Sequence, residues 1–372
     1  MSQSSSAISN ERIYFPRLDG LRFLAFLLVF VHHYLVLSGF FEPFRLHGWI
    51  GVELFFVISS YLLTKLLVEE LKQTDKILIG SYFLRRVLRI WPLYFGYILL
   101  MLFLTNFADL KMCFIRLAGL FTFTDNFVTA KIGFNQHIYQ TAHLWTISLE
   151  QQYYLLLPFL VYFARKMHMK KVVLYSIVIW LIMIICRLIS VNLQMKHPFI
   201  WVLPIQADAF LFGTLLGLGV FEELFNKISN TIKLLAGVLL VGIIFFIPNV
   251  DEIGVNQVVI YMFLAVGLVL ILDGVMKNNQ KWSNIFSTKI IRYFGKISYG
   301  LYVYHMICIA YIPDFIQNNL GLLSKHIFLY RMLVCLITLI LTILLAVLSY
   351  EFYEKWFLKL KQRWTVISSR PV

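Results

Sequence analysis

The chain contains few charged residues for its length. Asp, Glu, Lys and Arg make up 14% of its 372 residues, hydrophobic residues make up 60%, and the mean hydropathy is +0.78. A water-soluble chain of this composition would expose apolar surface to water, so the shortage of charge excludes a soluble domain and predicts a bilayer as the solvent. The apolar runs are about 20 residues long rather than about 10 residues of alternating polarity, which predicts spanning α-helices and excludes a barrel.

The sequence also lacks other features, and their absence excludes further kinds of site and domain. The four cysteines, Cys113, Cys186, Cys308 and Cys335, have no paired spacing, so neither a disulfide framework nor a metal site is predicted. The longest stretch outside the apolar runs, 108–141, is too short for a soluble domain. The first apolar run has no cleavage pattern of small residues, so we expect it to stay in the mature protein. The net charge is +14, but the basic residues lie in short segments between apolar runs, which indicates membrane topology rather than a nucleic-acid partner.

Ten apolar windows are candidate membrane spans. They cover residues 20–40, 49–68, 90–107, 142–164, 172–191, 200–221, 234–250, 255–273, 297–313 and 328–350. With the N-terminus in the cytoplasm, 24 of the 33 lysines and arginines fall on the cytoplasmic side and 7 on the outer side. This bias predicts an all-α, polytopic integral membrane protein with about ten transmembrane helices and both termini cytoplasmic. The predicted division is a cytoplasmic N-terminal segment (1–17), a transmembrane domain (18–355) and a basic cytoplasmic tail (356–372).

The first apolar run carries two ionisable residues on one helix face. Arg22 and His33 are 11 residues apart, a rotation only about 20° beyond three full turns and a rise of about 16 Å. His32 points about 100° away, which favours His33 as the residue that shares a site with Arg22. Charged groups at bilayer depth are costly and usually functional. The alternative is that Arg22 reaches the headgroups while His33 hydrogen-bonds to a neighbouring helix.

Three arginines precede Pro92. Arg85 and Arg89 are spaced i,i+4, and Arg86 and Arg89 i,i+3, so the guanidiniums can converge on one side of a helix and bind phosphate. The alternative is ordinary anchoring of a cytoplasmic segment by positive charge. Glu53, near the outer end of the second run, is either a lipid-edge residue or a partner for a buried histidine or arginine.

The fourth apolar run opens with a dense polar cluster. Its members are His143, Ser148, Glu150, Gln151 and Gln152. Helical spacing places Ser148 and Gln152 on one side and Glu150 on another, so we expect the cluster to face both a cavity and a neighbouring helix. The remaining ionisable candidates within or beside apolar runs are Asp208, Asp273, His305, Glu351 and Glu354, of which Asp273, Glu351 and Glu354 read as ordinary interface residues.

These runs together resemble the acyltransferase 3 family of integral membrane acyltransferases. The resemblance rests on six motifs in the family's order: Leu18, Asp19, Gly20, Leu21, Arg22 and His33; Gly51, Val52, Glu53, Leu54, Phe55, Phe56, Val57 and Ser59; Arg85, Arg86, Arg89 and Pro92; His143, Leu144, Trp145, Ser148, Glu150, Gln152 and Tyr154; Asp208 and Gly213; and ISYGLYVYH ending at His305. It extends from about residue 17 to 355. The chain departs from the family pattern at Gln151, where glutamate is common, at Ser60, where glycine is common, and at Lys355 and Trp356, where proline is common. The resemblance is to the stand-alone form without an appended extracellular domain.

The resemblance implies O-acyl transfer, commonly of acetyl from acetyl-CoA, to a hydroxyl of a cell-envelope saccharide or related acceptor at the plasma (inner) membrane. Such a reaction needs a base for the hydroxyl proton and a site for an anionic thioester, which suits His33 as general base and the arginines as phosphate ligands. Acyl-CoA would be a co-substrate, with no permanently bound cofactor. Direct transfer is favoured, and Ser148 near His143 leaves a covalent route open.

We expect Glu150 to orient or charge-balance a histidine or arginine of the site, with Arg22 as a further catalytic cation and Glu53, His143, Ser148, Gln152, Asp208 and His305 as further polar site candidates. The alternative function is a transporter or exporter of a lipid-linked saccharide with an intramembrane proton relay.

Overall fold

The computed structural model describes residues 13–34, 42–107, 109–134, 137–193, 206–247, 255–277, 281–320, 327–365 and 367. In these ranges the regular structure is entirely helical. The α-helices are α1 (Pro16–His33), α2 (Glu42–His47), α3 (Ile50–Thr74), α4 (Ile79–Leu104), α5 (Leu110–Phe121), α6 (Asp125–Ile132), α7 (Trp145–Lys166), α8 (Met169–Asn192), α9 (Asp208–Leu218), α10 (Glu222–Asn226), α11 (Asn230–Ile244), α12 (Val255–Lys277), α13 (Lys289–Lys296), α14 (Ser298–Leu320), α15 (Ile327–Ser349) and α16 (Lys355–Gln362). Short 3₁₀ segments cover Ala142–Leu144 and Lys281–Ser287, and a π-helical turn, Tyr350–Glu354, joins α15 to α16.

Each of the ten predicted windows overlaps one helix, and the expectation of an α-helical integral membrane protein is confirmed in that coarser form. Five helical segments among the described residues are long and apolar enough to cross a membrane: 50–74, 79–104, 169–192, 258–277 and 329–362. The count of ten and the sidedness of the ends stay predictions. The largest boundary difference is at α4, which begins at Ile79, well before the predicted window at 90. The arginine-rich segment continues this helix because arginine is a good helix former, and α4 also runs through Pro92.

The apolar helices differ sharply in how much of their surface the protein itself covers. In α3, 72% of the residues in the apolar window are buried, whereas only 17% are buried in α8. Large apolar side chains such as Leu174, Ile185, Leu336 and Leu348 stay exposed on α8 and α15. Exposed apolar surface of this extent needs lipid around it. α3 is therefore a central helix, and α8 and α15 are peripheral.

Two glycines allow α3 to pack closely against its neighbours. A Cβ on Gly51 would lie 2.2 Å from the carbonyl oxygen of Ala25 in α1, and a Cβ on Gly213 of α9 would lie 2.6 Å from the carbonyl oxygen of Val57. Neither contact leaves room for a side chain, so glycine is required where these helices cross. The helices α1, α3 and α9, which carry polar residues of separate motifs, are therefore in close contact.

Candidate active site

A cavity of about 120 Å³ lies between α1, α3, α4, α7, α14 and α16. Its apolar wall comes mainly from α3, including Val52, Phe55 and Leu62. The charged residues of its lining are four cations and two carboxylates: Arg22, Arg86, Arg89, Lys361, Asp19 and Glu150. They come from four helices that are far apart in the sequence, α1, α4, α7 and α16, and meet only because these helices pack together.

The cations of the cavity outnumber the carboxylates. Arg22 has a carboxylate nearby, with its Nη1 4.0 Å from Oδ1 of Asp19. Within the part of the chain that the structure describes, no carboxylate lies within ion-pair distance of Arg86, Arg89 or Lys361. The Nε of Arg86 is buried and has no hydrogen-bond partner among the described residues. An excess of half-buried positive charge with unused donors is the arrangement that binds an anion.

The helical period of α4 separates the three arginines that the sequence grouped together. Arg86 and Arg89, one turn apart, line the cavity. Arg85 turns away from it, since its Nη2 donates to Glu70 at 2.8 Å and its Nη1 donates to the carbonyl oxygen of Trp364 at 3.0 Å. Arg85 therefore holds the chain end against α3 and α4, whereas the other two guanidiniums face the cavity.

Glu150 lies on the cavity side of α7, beside the cations. The hydroxyl of Tyr154, one turn later, donates a hydrogen bond to its Oε1. Arg22 and Arg89 are its charged neighbours. Glu150 can thus balance part of the charge of these two arginines without forming an ion pair with either of them among the described residues.

Ser148 and Gln152 of α7 face away from the cavity, as the helical spacing predicts. The Nε2 of Gln152 donates to Oδ1 of Asn126 and to the carbonyl oxygen of Phe123, both at 2.8 Å. Ser148 is fully buried and is not part of the cavity lining. No hydrogen bond joins Ser148 to His143 in the described ranges. Gln152 therefore anchors the segment between α5 and α6 to α7.

Three histidines form a second cluster beyond the cavity: His33 of α1, His143 of the 3₁₀ segment before α7, and His305 of α14. The Nδ1 of His33 is 3.2 Å from Nε2 of His305, and the rings of His143 and His305 are 5.2 Å apart between centroids. His143 and His305 are buried, whereas His33 is partly exposed. None of the three lines the cavity that holds Arg22.

Carbonyl contacts assign the protons of two of these rings. The Nδ1 of His305 is 2.5 Å from the carbonyl oxygen of Tyr302, and the Nδ1 of His33 is 3.0 Å from that of Val29. Because a carbonyl oxygen only accepts, both Nδ1 atoms carry a proton, and Nε2 of His305 accepts from His33. In this assignment Nε2 of His33 carries the lone pair of the neutral ring, which is the form that a general base needs.

Tyr302 forms the wall between the cavity and the histidine cluster. It lines the cavity, and its ring lies 5.5 Å from the ring of His143 and 5.4 Å from that of His305. Its hydroxyl is 2.6 Å from Oγ1 of Thr146, another lining residue. The same hydroxyl donates to the carbonyl oxygen of His143 at 3.0 Å, so it links the cavity wall to the histidine cluster.

The structure places Glu53 and Asp208 in a separate polar cluster. Glu53 accepts a hydrogen bond from Gln206, and Asp208 forms an ion pair with Arg187 of α8. Trp180 donates to Oδ1 of Asp208 at 2.9 Å. These buried residues join α3, α8 and α9, and none of them lines the cavity. Arg187, an arginine buried in the apolar helix α8, thus has a carboxylate partner.

Sequence reasoning did not single out Lys361 or Tyr302. Lys361 lies in a basic segment beyond the last apolar window, where lysines are ordinary. Tyr302 stands inside the ISYGLYVYH run, but nothing in its spacing distinguishes it from Tyr299 or Tyr304. Only the packing of α14 and α16 against the cavity identifies them.

Comparison with known proteins gives one consistent result. The family description "Acyltransferase domain" matches residues 15–351. An O-acetyltransferase, OatA, of Staphylococcus aureus (strain NCTC 8325 / PS 47) is 26% identical over 366 residues, which cover 92% of this chain and 57% of the relative. A protein of S. aureus (strain COL) that is provisionally named an O-acetyltransferase is 27% identical over 374 residues. These residues cover 93% of this chain and 58% of the relative. The chain thus spans less than two thirds of the length of these relatives, and no solved structure matches it.

Proposed function

Because the chain belongs to the acyltransferase 3 family, we propose that it transfers an acyl group, acetyl above all, from acyl-CoA to a hydroxyl of a cell-envelope saccharide or a related acceptor. The observation that carries the proposal is the cavity with four cations and two carboxylates, separated by Tyr302 from a cluster of three histidines. The names of the S. aureus relatives, which describe O-acetyltransferases, support the same chemistry.

The cavity suits the donor. CoA carries several phosphates, and phosphate is recognised by guanidinium donors in a fixed fork. Arg86 and Arg89 present such donors to the cavity without a carboxylate at ion-pair distance among the described residues. Arg22 of α1 adds a third guanidinium to the cavity lining. The phosphates would therefore lie by α4 and the acyl end would point toward the histidines.

The histidine cluster suits the proton transfer. Nε2 of His33 takes the proton of the acceptor hydroxyl as that oxygen attacks the thioester carbonyl carbon. Collapse of the tetrahedral intermediate breaks the C–S bond, and the CoA thiolate leaves and receives that proton. The hydrogen bond from His33 to His305 fixes the ring with Nε2 available. The acyl group reaches His33 past the hydroxyls of Tyr302 and Thr146, so Tyr302 controls whether water can follow it.

The membrane topology determines the side from which the donor and the acceptor each reach the site. We propose ten spans with both ends cytoplasmic in the plasma (inner) membrane, which puts Arg86 and Arg89 on the cytoplasmic side, where CoA thioesters are present. The long apolar helices and the charge bias support this arrangement. An acceptor would then approach His33 from the outer side, and CoA would not cross the bilayer.

Sealed vesicles supplied with labelled acetyl-CoA test both the activity and its direction. Inside-out vesicles with the saccharide acceptor enclosed in the lumen are expected to transfer label to it, and right-side-out vesicles with the acceptor outside only after permeabilisation, because the charged donor does not cross lipid. Equal activity in both intact preparations would overturn the direction. No transfer from any acyl-CoA in permeabilised membranes would overturn the proposed function.

Glu150→Gln is expected to lower turnover about a hundredfold while the protein accumulates nearly normally. The amide keeps the shape of the side chain but removes the charge that balances Arg22 and Arg89, and loss of such an organising charge at a site is typically worth a few kcal/mol. Turnover and folded protein would be measured on the same membranes. Glu223→Gln, the same change in an exposed ion pair with Lys227, is the control. A parallel fall of folded protein and activity would show that Glu150 is a structural residue instead.

A further inference from the structure

α16, which follows the last apolar window predicted from the sequence (328–350), packs against α4 and so becomes part of the cavity. The hydroxyl of Tyr353, just before α16, donates to the carbonyl oxygen of Pro92 at 3.1 Å. After α16, the carbonyl oxygen of Trp364 accepts from Arg85 at 3.0 Å, and Ile367 is buried. Contacts on both sides of α16 therefore fix its position. The region was predicted only as a basic tail, with no role in the site.

The two lysines on the second half of α16 have opposite surroundings. Lys361 lines the cavity, together with Arg22, Arg86 and Arg89. Lys359, two positions earlier, is exposed. Two positions correspond to about 200° on a helix, so the lysines lie on opposite faces. One face of α16 places Lys361 at the cavity, and the opposite face, which carries Lys359, points outward.

The position of the Lys361 ammonium is electrostatically unfavourable unless an anion binds beside it. Its charge is close enough to those of Arg22, Arg86 and Arg89 to be repelled by them. Glu70, a buried carboxylate that lines a smaller neighbouring pocket together with Lys361, is already paired with Arg85. No ion pair to Lys361 occurs in the described ranges. A lysine side chain is long and flexible and would ordinarily extend into water, so its direction into a group of cations indicates a site for several negative charges.

We propose that Lys361 binds a phosphate of the donor and that α16 thereby forms one side of the donor site, an inference that rests on the proposed use of acyl-CoA. The arginines of α4 bind phosphate from one side, and the ammonium of Lys361 binds it from the other. The site then takes a donor with more than one phosphate in preference to a singly charged acyl donor. The segment after the last span is a binding element rather than a topological anchor alone.

Binding of CoA to the purified full chain in detergent, measured by calorimetry at low and high salt, tests the proposal. Lys361→Gln is expected to weaken binding about tenfold at low salt, because a hydrogen bond between charged partners is lost. The difference from the unmodified chain should shrink at high salt as phosphate contacts are screened. Lys361→Arg should bind within about threefold of the unmodified chain, since it keeps the charge. Lys359→Gln, the same charge change on the outward face of the same helix, should bind CoA normally.

Three results would overturn the proposal. Lys361→Gln that binds CoA as tightly as the unmodified chain would show that the lysine does not contact the donor. Equal weakening by Lys359→Gln would assign the effect to the general charge of the tail. Equal weakening by Lys361→Arg would assign it to altered packing of α16. Failure of the unmodified chain to bind CoA would instead overturn the donor assignment of the proposed function itself, and this inference with it.

Discussion

His33→Ala is expected to lower acyl transfer at least about a hundredfold, the usual minimum for loss of a general base, while the protein still accumulates in the membrane. The substitution removes the nitrogen that takes the hydroxyl proton. It also removes the hydrogen bond to Nε2 of His305, but the ring of His33 is only partly buried, so the cost in stability is modest. Transfer of labelled acetyl would be measured in membranes with matched amounts of folded protein.

His32→Ala is the matched control for this prediction. The two histidines are neighbours on α1, but Nδ1 of His32 lies 2.7 Å from the carbonyl oxygen of Arg45 in α2 rather than beside His305. Activity of His32→Ala is expected to stay within a few-fold of normal. His305→Ala should lose activity too, because it leaves the ring of His33 without its fixed orientation. Near-normal turnover of His33→Ala would show that His33 is not the base.

The sequence predicted the helices well because long apolar windows have a single structural solution in lipid. It also predicted that the polar side chains of α7 divide between two faces, since helical spacing alone determines that. Glu150 and Gln152, for instance, face opposite ways on α7 as expected.

On α4 the same reasoning grouped Arg85 with Arg86 and Arg89, whereas the structure separates it from them. Helical spacing does not predict which neighbouring helix each face contacts. That neighbour depends on helix crossings such as those at Gly51 and Gly213.

Arg22 and His33 illustrate this limit. Their spacing predicts that they share a face of α1, and that argument concerns direction only. In the structure Arg22 lines the cavity, whereas His33 meets His305, and Tyr302 of α14 stands between the two regions. The spacing on α1 shows that Arg22 and His33 are aligned. The residue that separates them, Tyr302, belongs to α14 and lies nearly three hundred residues further along the chain. The candidate site is therefore one region with two compartments, a feature that no local pattern encodes.

Arg86→Ala and Arg89→Ala are each expected to raise the apparent KM for acyl-CoA about ten- to a hundredfold, the loss that follows removal of a charge-assisted hydrogen bond worth about 1.5–3 kcal/mol. The KM for the acceptor should change little, because the acceptor approaches the histidines and not α4. Added salt should raise the KM for acyl-CoA of every form, but the difference between each variant and the unmodified chain should shrink, because the variant has one phosphate contact fewer to be screened. Substitution by lysine should rescue only in part, since a point charge lacks the guanidinium fork.

Arg85→Ala should behave differently, although the three arginines lie within one and a half turns of α4. Arg85 is the ion-pair partner of Glu70, whose side chain is 2% exposed. Removing one partner of a buried ion pair leaves an uncompensated charge, which costs about 3–5 kcal/mol. We therefore expect Arg85→Ala to lower the unfolding temperature and the amount of folded protein, with little change in the KM of the molecules that remain folded. Equal increases in KM for all three alanine variants would contradict the cavity geometry. Such a result would mean that the arginines act as one diffuse positive surface, in which the orientation of each side chain is immaterial.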